Sequence, residues 1–169
     1  MALYTIFNGP MPTTASFAAV TTGTSIKTLL QVKPFNVGKI VEWGISFDGS
    51  AAATPIEVEL LHTGTTNATV TASADADVFK LDSAEQAVAS VAGLTLGTAA
   101  TGYTSTDEDG AGSITTTVVF DAQFIAPTNQ YIKQFPLGRE PKLIIGNFYR
   151  IRVKAGSAVN AICYMTIEL

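Results

Sequence analysis

Few residues in this chain could do chemistry. The 169 residues hold one histidine and one cysteine. His62 follows Leu60-Leu61 at the end of a predicted strand and precedes Thr63-Gly64. With no second His or Cys at ligand spacing, a zinc site is not expected, and a solvent-facing or loop-bonded imidazole is the simpler role. Cys163 falls at an inward position of the last predicted strand, where a small buried hydrophobe is the default; a nucleophile would need a basic partner there. A single thiol closes no internal disulfide. Asp107-Glu108-Asp109-Gly110 is the densest acidic run. Its oxygens could attract calcium, but it lacks the Asp-x-Asp-x-Asp-Gly spacing of an EF-hand, so a solvated loop tip is expected and a bound cation stays an open alternative. Asp75-Ala76-Asp77 is a weaker version of the same signal. Asn67-Ala68-Thr69 matches a glycosylation acceptor that needs a secretory route. The opening MALYTIFNGPMPTT has no basic region followed by an apolar stretch, so no signal peptide is expected. Gly-x-Gly-x-x-Gly and the P-loop are absent. Without a nucleophile and base, a carboxylate pair or a metal cluster, the expectation is a non-enzyme with no cofactor.

Features suited to contact are easier to find. Arg150, Arg152 and Lys154 share one face of a predicted strand. They could meet acidic groups of a partner or neighbouring subunit, or serve as edge-strand protection. Arg139-Glu140 sits in a turn and could pair across a sheet or subunit boundary. Leu3-Tyr4-Thr5-Ile6-Phe7 is apolar on both faces until Asn8-Gly9-Pro10-Met11-Pro12 breaks it. Such a strand needs cover, either from its own domain's sheet or from another subunit. Leu3, Tyr4, Ile6 and Phe7 are therefore candidate interface residues, with residues 1–13 as a candidate docking arm, together with Arg139, Arg150, Arg152 and Lys154.

The elements that must position these residues are strands. Period-2 alternation marks Ser25 to Lys33, with Ile26, Thr28, Leu30 and Val32 on one face. It marks Lys39 to Asp48 as well, with Val41, Trp43, Ile45 and Phe47 inward and Asp48-Gly49 as a turn. Ile56, Val58 and Leu60 follow Pro55, and a short strand spans Thr69 to Ala72. Asp82 and Glu85 stand at capping-box spacing, predicting a short helix that ends near Ser90. Leu94 to Asp109 reads as a long loop with one brief strand at most. Further strands are predicted over Ser113 to Asp121, Tyr131 to Gln134, Lys142 to Ile145, Phe148 to Ala155 and Ala161 to Leu169. Eight to ten strands joined by turns, with at most one short helix, predict an all-β fold. It would be an antiparallel two-sheet sandwich formed as a single domain over 1–169, with jelly-roll topology as first choice.

Composition agrees. Hydrophobic residues make up 47% and charged residues 14%, against roughly 25% charged in an average soluble domain, so a disordered chain is excluded. Alanine and threonine supply roughly a quarter of all positions, which suits an all-β protein or one whose surface meets other proteins. Net charge is −4, with no basic arm, so nucleic acid is not an expected partner. No run approaches about 18 apolar residues, so no membrane-spanning helix is expected.

Several segments carry a resemblance. Thr21 to Val32 (TTGTSIKTLLQV), Val41 to Gly49 (VEWGISFDG), Gln134 to Glu140 (QFPLGRE), Tyr149 to Val153 (YRIRV) and Ala158 to Ala161 (AVNA) together resemble the capsid decoration, or cement, proteins of tailed bacteriophages. The resemblance implies a jelly-roll structural protein, made in the host cytoplasm and carried on the outer surface of the virion. It also implies a homotrimer bound to the major capsid protein that stabilises the shell. Within virions, the alternative is a tail, baseplate or receptor-binding component, using loops around Tyr103. From another class, the alternative is a carbohydrate-binding β-sandwich module, which would want an aromatic platform. Trp43 lies on an apolar strand face, so core packing suits it better.

Overall fold

The computed structural model describes residues 2–12, 14–18, 20–85, 93–106, 116 and 118–169. Among them are thirteen strands: β1 Leu3–Phe7, β2 Val20–Thr21, β3 Lys27–Val32, β4 Gly38–Asp48, β5 Ile56–His62, β6 Val70–Ala72, β7 Val78–Lys80, β8 Gly102–Ser105, β9 Val118–Ile125, β10 Gln130–Gln134, β11 Lys142–Leu143, β12 Tyr149–Lys154 and β13 Asn160–Glu168. The only helical element among the described residues is a 3-10 turn over Asp75–Asp77. Asp82 begins a single turn, its carboxylate accepting from Ala84 N at 2.9 Å and its carbonyl from Glu85 N at 3.1 Å. The remainder of the predicted helix, 86–90, lies outside the described residues. So does the start of the strand predicted from Ser113.

Two antiparallel sheets form, as the alternation predicts. The first, sheet A, runs β10-β4-β13-β1-β7, with β11 beside β4 and β2 beside β13; the second, sheet B, runs β6-β8-β3-β12-β5-β9. Four pairs explain the order: β1 with β13, β3 with β12, β4 with β10, and β5 with β9. These are the rungs of one long antiparallel ribbon folded at its middle. Rolling that ribbon up adds the contacts β13 with β4 and β12 with β5, which is the jelly-roll connectivity. One core fills the space between the sheets. Trp43, Ile45, Met165, Ile167, Tyr4 and Ile6 come from sheet A, and Leu30, Val32, Val58, Leu60, Ile151 and Val153 from sheet B.

Three β-bulges move side chains across the faces predicted for them, because a single extra residue flips everything beyond it. Opposite Ile151 and Arg152, β3 spends two steps between Leu30 and Thr28, so Thr28 turns outward and Leu29 is buried. In β4 the extra residue is Val41, which is half-exposed while Ile40 goes into the core. In β9 the extra residue is Phe120, opposite Leu60 and Leu61 of β5, so Val119 and Asp121, predicted on one face, stand level with leucines on opposite faces.

Candidate interaction surface

The two outward sheet faces differ in chemistry. On sheet B the middle of the outward face, along β12 and β5, is ionic and largely satisfied within the chain, while the edge strand β9 exposes Val119 and Phe124. Arg152 donates through Nε and Nη2 to Glu59 Oε2 at 2.9 and 2.8 Å, and through Nη2 to Thr116 Oγ1 at 2.9 Å. Arg150 is fully buried, donating to Thr66 O at 2.6 Å and to Thr28 Oγ1 at 3.4 Å. The long connection from β5 to β9 roofs this part of the face. Gln31 clamps the roof, with Nε2 donating to Ala68 O (3.2 Å) and Ala100 O (2.7 Å) and Oε1 accepting from Ala68 N (2.9 Å).

These contacts correct two expectations. Arg150 and Arg152 are not available to a partner, because the chain's own carbonyls, hydroxyls and Glu59 already hold them. Edge protection fails too, since β12 lies between β3 and β5 inside sheet B. Lys154, at the end of the same row, is exposed.

The outward face of sheet A is aromatic and aliphatic instead. Cross-strand register aligns Ile132 of β10 with Gly44 of β4, Gly44 with Tyr164 of β13, and Tyr164 with Phe7 of β1. Phe7 meets Tyr164 at a ring-centroid distance of 5.7 Å and Phe79 edge-on at 5.8 Å. Gly44 is required here: a Cβ would stand 2.6 Å from the Tyr164 ring, which lies across the strand at that point. Tyr164 donates to Glu42 Oε1 at 2.6 Å, and burial together with that carboxylate pushes its phenol well above the usual range. The adjoining row carries Thr5 and Thr166, whose hydroxyls bond at 3.0 Å. Leu3, Phe7, Glu42, Leu81 and Tyr164 line a depression of about 320 Å³ in this face. Ile132 is 55% exposed and Leu81 59%. A second exposed apolar group, Phe35, Val37, Ile144 and Ile145, lies at one end of the sandwich on two loops joined by Gly146 N donating to Pro34 O at 3.2 Å.

The N-terminal expectation therefore divides. β1 docks on its own sheet between β13 and β7, and Asn8 locks its exit with bonds to Ala161 O (3.0 Å) and Cys163 N (2.9 Å). Leu3 and Phe7 face outward on the aromatic surface. Tyr4 and Ile6 do not, being 1% and 0% exposed in the core, as alternation within a paired strand requires. Residues 2–12 are thus not a free arm. Arg139 is exposed on the turn after Pro136-Leu137-Gly138, and Gly138 takes the positive φ of +83° that the third position of a type II turn demands. Glu140 pairs within the sheet, with Lys39 of β4 at 3.3 Å.

The residues first considered for chemistry have structural places. Cys163 is buried in the core, and burial pushes its thiol far above the usual range. His62 is 9% exposed against the Tyr149 ring at 5.1 Å, and burial lowers its pKa. Asp77 accepts from Ala74 N at 2.7 Å. Among the described residues no three His, Cys, Asp or Glu side chains gather at metal-binding range; Asp107 to Asp109 lie outside them. Trp43 is fully buried beside Tyr131, so it offers no platform.

Sequence reasoning missed Ile132, Phe79, Tyr164 and Leu81 as surface residues. The signal for Tyr164 was present, because Ile162 and Tyr164 make the last strand apolar on both faces. No known family, curated protein or solved structure matches the chain.

Proposed function

We propose that the protein is a structural component of a phage-type virion: a capsid decoration protein, trimeric, that binds the outside of the major capsid shell and stabilises it. The supporting observation is the outward face of sheet A, where Phe7, Phe79, Ile132, Tyr164 and Leu81 occupy positions that polar residues fill on an ordinary solvent-facing sheet. A rigid, register-fixed sheet presenting such side chains is ready for contact without reordering, which limits the entropic cost of binding. Burying the exposed half of Ile132 or Leu81 contributes about 0.8–1.7 kcal/mol, and several copies on a lattice multiply the effect. The resemblance of five segments to decoration proteins supports the shell as the partner. Those segments fall largely on framework: β2 with β3, most of β4, the end of β10 with its turn, β12, and the start of β13.

The test adds purified protein to expanded capsids that lack it. Saturable cosedimentation and raised shell stability are expected, with light scattering reporting a trimer for the free protein. A chain that ignores capsids but binds glycans would replace this reading.

A further inference from the structure

The two edges of sheet A carry opposite charge at the same height. Leu81 N donates to Leu3 O at 3.0 Å, and the row continues from Leu3 to Glu168, from Glu168 to Lys39, and from Lys39 to Lys142. One end of this row is the β7 edge; the other is the β11 edge, about 19 Å away at ordinary strand spacing. Residues 75–85 at the β7 edge hold Asp75, Asp77, Asp82 and Glu85 against Lys80 alone. At the opposite edge stand Arg139 and Lys142, both exposed and without an ion pair among the described residues, while Glu140 is taken by Lys39. Each edge also carries one well-exposed leucine: Leu81 at 59% on the acidic side, Leu137 at 90% on the basic side.

We infer that a second copy of this chain docks head to tail along sheet A, its acidic 81–85 edge against the basic 137–142 edge of its neighbour. Like edges repel, so a two-fold contact through either edge alone is disfavoured. Unlike edges attract, and such a heterologous contact generates a ring where the rotation closes. Because Leu81, next to Asp82, and Lys142 stand at the two ends of one cross-strand row, copies placed side by side bring Asp82 near the height of Lys142, with Glu85 and Arg139 three residues further along their turns. Phe7, Tyr164 and Ile132 on the outward face of sheet A stay clear, while Leu81 at its margin joins the contact between copies. This deepens the proposed assembly role and rests on it for its biological purpose. The contact is read on the isolated protein, so its failure is separate from a failure to bind shells.

The experiment is a charge swap followed by sedimentation equilibrium, with circular dichroism confirming the fold of each variant. Self-association of the wild type is expected to weaken with added salt. Arg139→Glu with Lys142→Glu should weaken it at least tenfold, and so should Asp82→Lys with Glu85→Lys. All four substitutions in one chain should restore association to within a few-fold of the wild type. A wild type that stays monomeric at about 100 μM, a millimolar-range affinity at best, would overturn the inference. So would an oligomer indifferent to either reversal, or a fourfold variant no better than its parents.

Discussion

Replacing Gln31 by alanine removes the side chain that holds the roof of sheet B. Its amide makes three bonds, to Ala68 N, Ala68 O and Ala100 O, all in a site with no solvent exposure. Ala68 O keeps the Asn67 Nδ2 donor at 3.1 Å, so two backbone groups, Ala68 N and Ala100 O, lose their partner, at a cost of about 1–3 kcal/mol each. Entry of water relieves part of that, so about 3 kcal/mol in total is expected. At about 2–4 °C per kcal/mol for a chain of this size, the melting temperature should fall by about 6–12 °C. Hydrogen exchange sharpens the test, since the Ala68 amide loses its acceptor and should exchange much faster, while amides of β4 and β13 exchange through global unfolding only. A loss under about 1 kcal/mol with Ala68 protection unchanged would refute the clamp.

Thr104 adopts φ +50° at the bulged position opposite Val70 and Thr71, a conformation costly for a β-branched residue. Thr104→Gly should raise stability by about 0.5–1 kcal/mol in urea denaturation, strain relief exceeding the added chain entropy. Gly44→Val should displace the Tyr164 ring, break its bond to Glu42, and lower both stability and shell binding; tyrosine fluorescence and cosedimentation read the two effects. His62 is held neutral by burial, so its folded pKa lies below the unfolded value. Only the unfolded chain takes up the proton at first, and stability therefore falls as pH drops below about 6.5. His62→Phe should flatten that part of the melting profile, leaving the loss near pH 4 and below. There Asp121 contributes, beside Glu140: burial opposes Asp121's ionisation, but Gln123, Tyr131 and Lys133 outweigh burial and hold its carboxyl below the usual range.

Much of the framework was legible because alternation survives wherever a strand is regular. β12 reads correctly residue by residue, with Tyr149, Ile151 and Val153 inward and Arg150 and Arg152 outward. Thr28 and Val41 were misplaced because period-2 reading assumes constant register, and a bulge leaves no mark in composition. Arg150 was assigned the right face but the wrong environment. Its cover comes from residues some 84 positions away, where Thr66 supplies the carbonyl, and no local pattern announces such a contact. The aromatic surface was half legible: β1 is visibly apolar on both sides, so cover was expected. That Phe7 would be extended by Tyr164 and Ile132 depends on β13 and β4 separating β1 from β10, which only the sheet order reveals.

The proposed shell contact rests on the outward face of sheet A. Cosedimentation of Ile132→Asp with expanded capsids tests it most directly, since Ile132 lies on an edge strand, is 55% exposed, and can carry a charge without disturbing the core. Losing the burial of the exposed half of Ile132, about 0.8–1.7 kcal/mol, together with the cost of desolvating a carboxylate at the contact, predicts at least tenfold weaker binding than wild type, with an unchanged melting temperature. Equal binding by the folded variant, or a wild type that leaves the shells bare, would contradict the account.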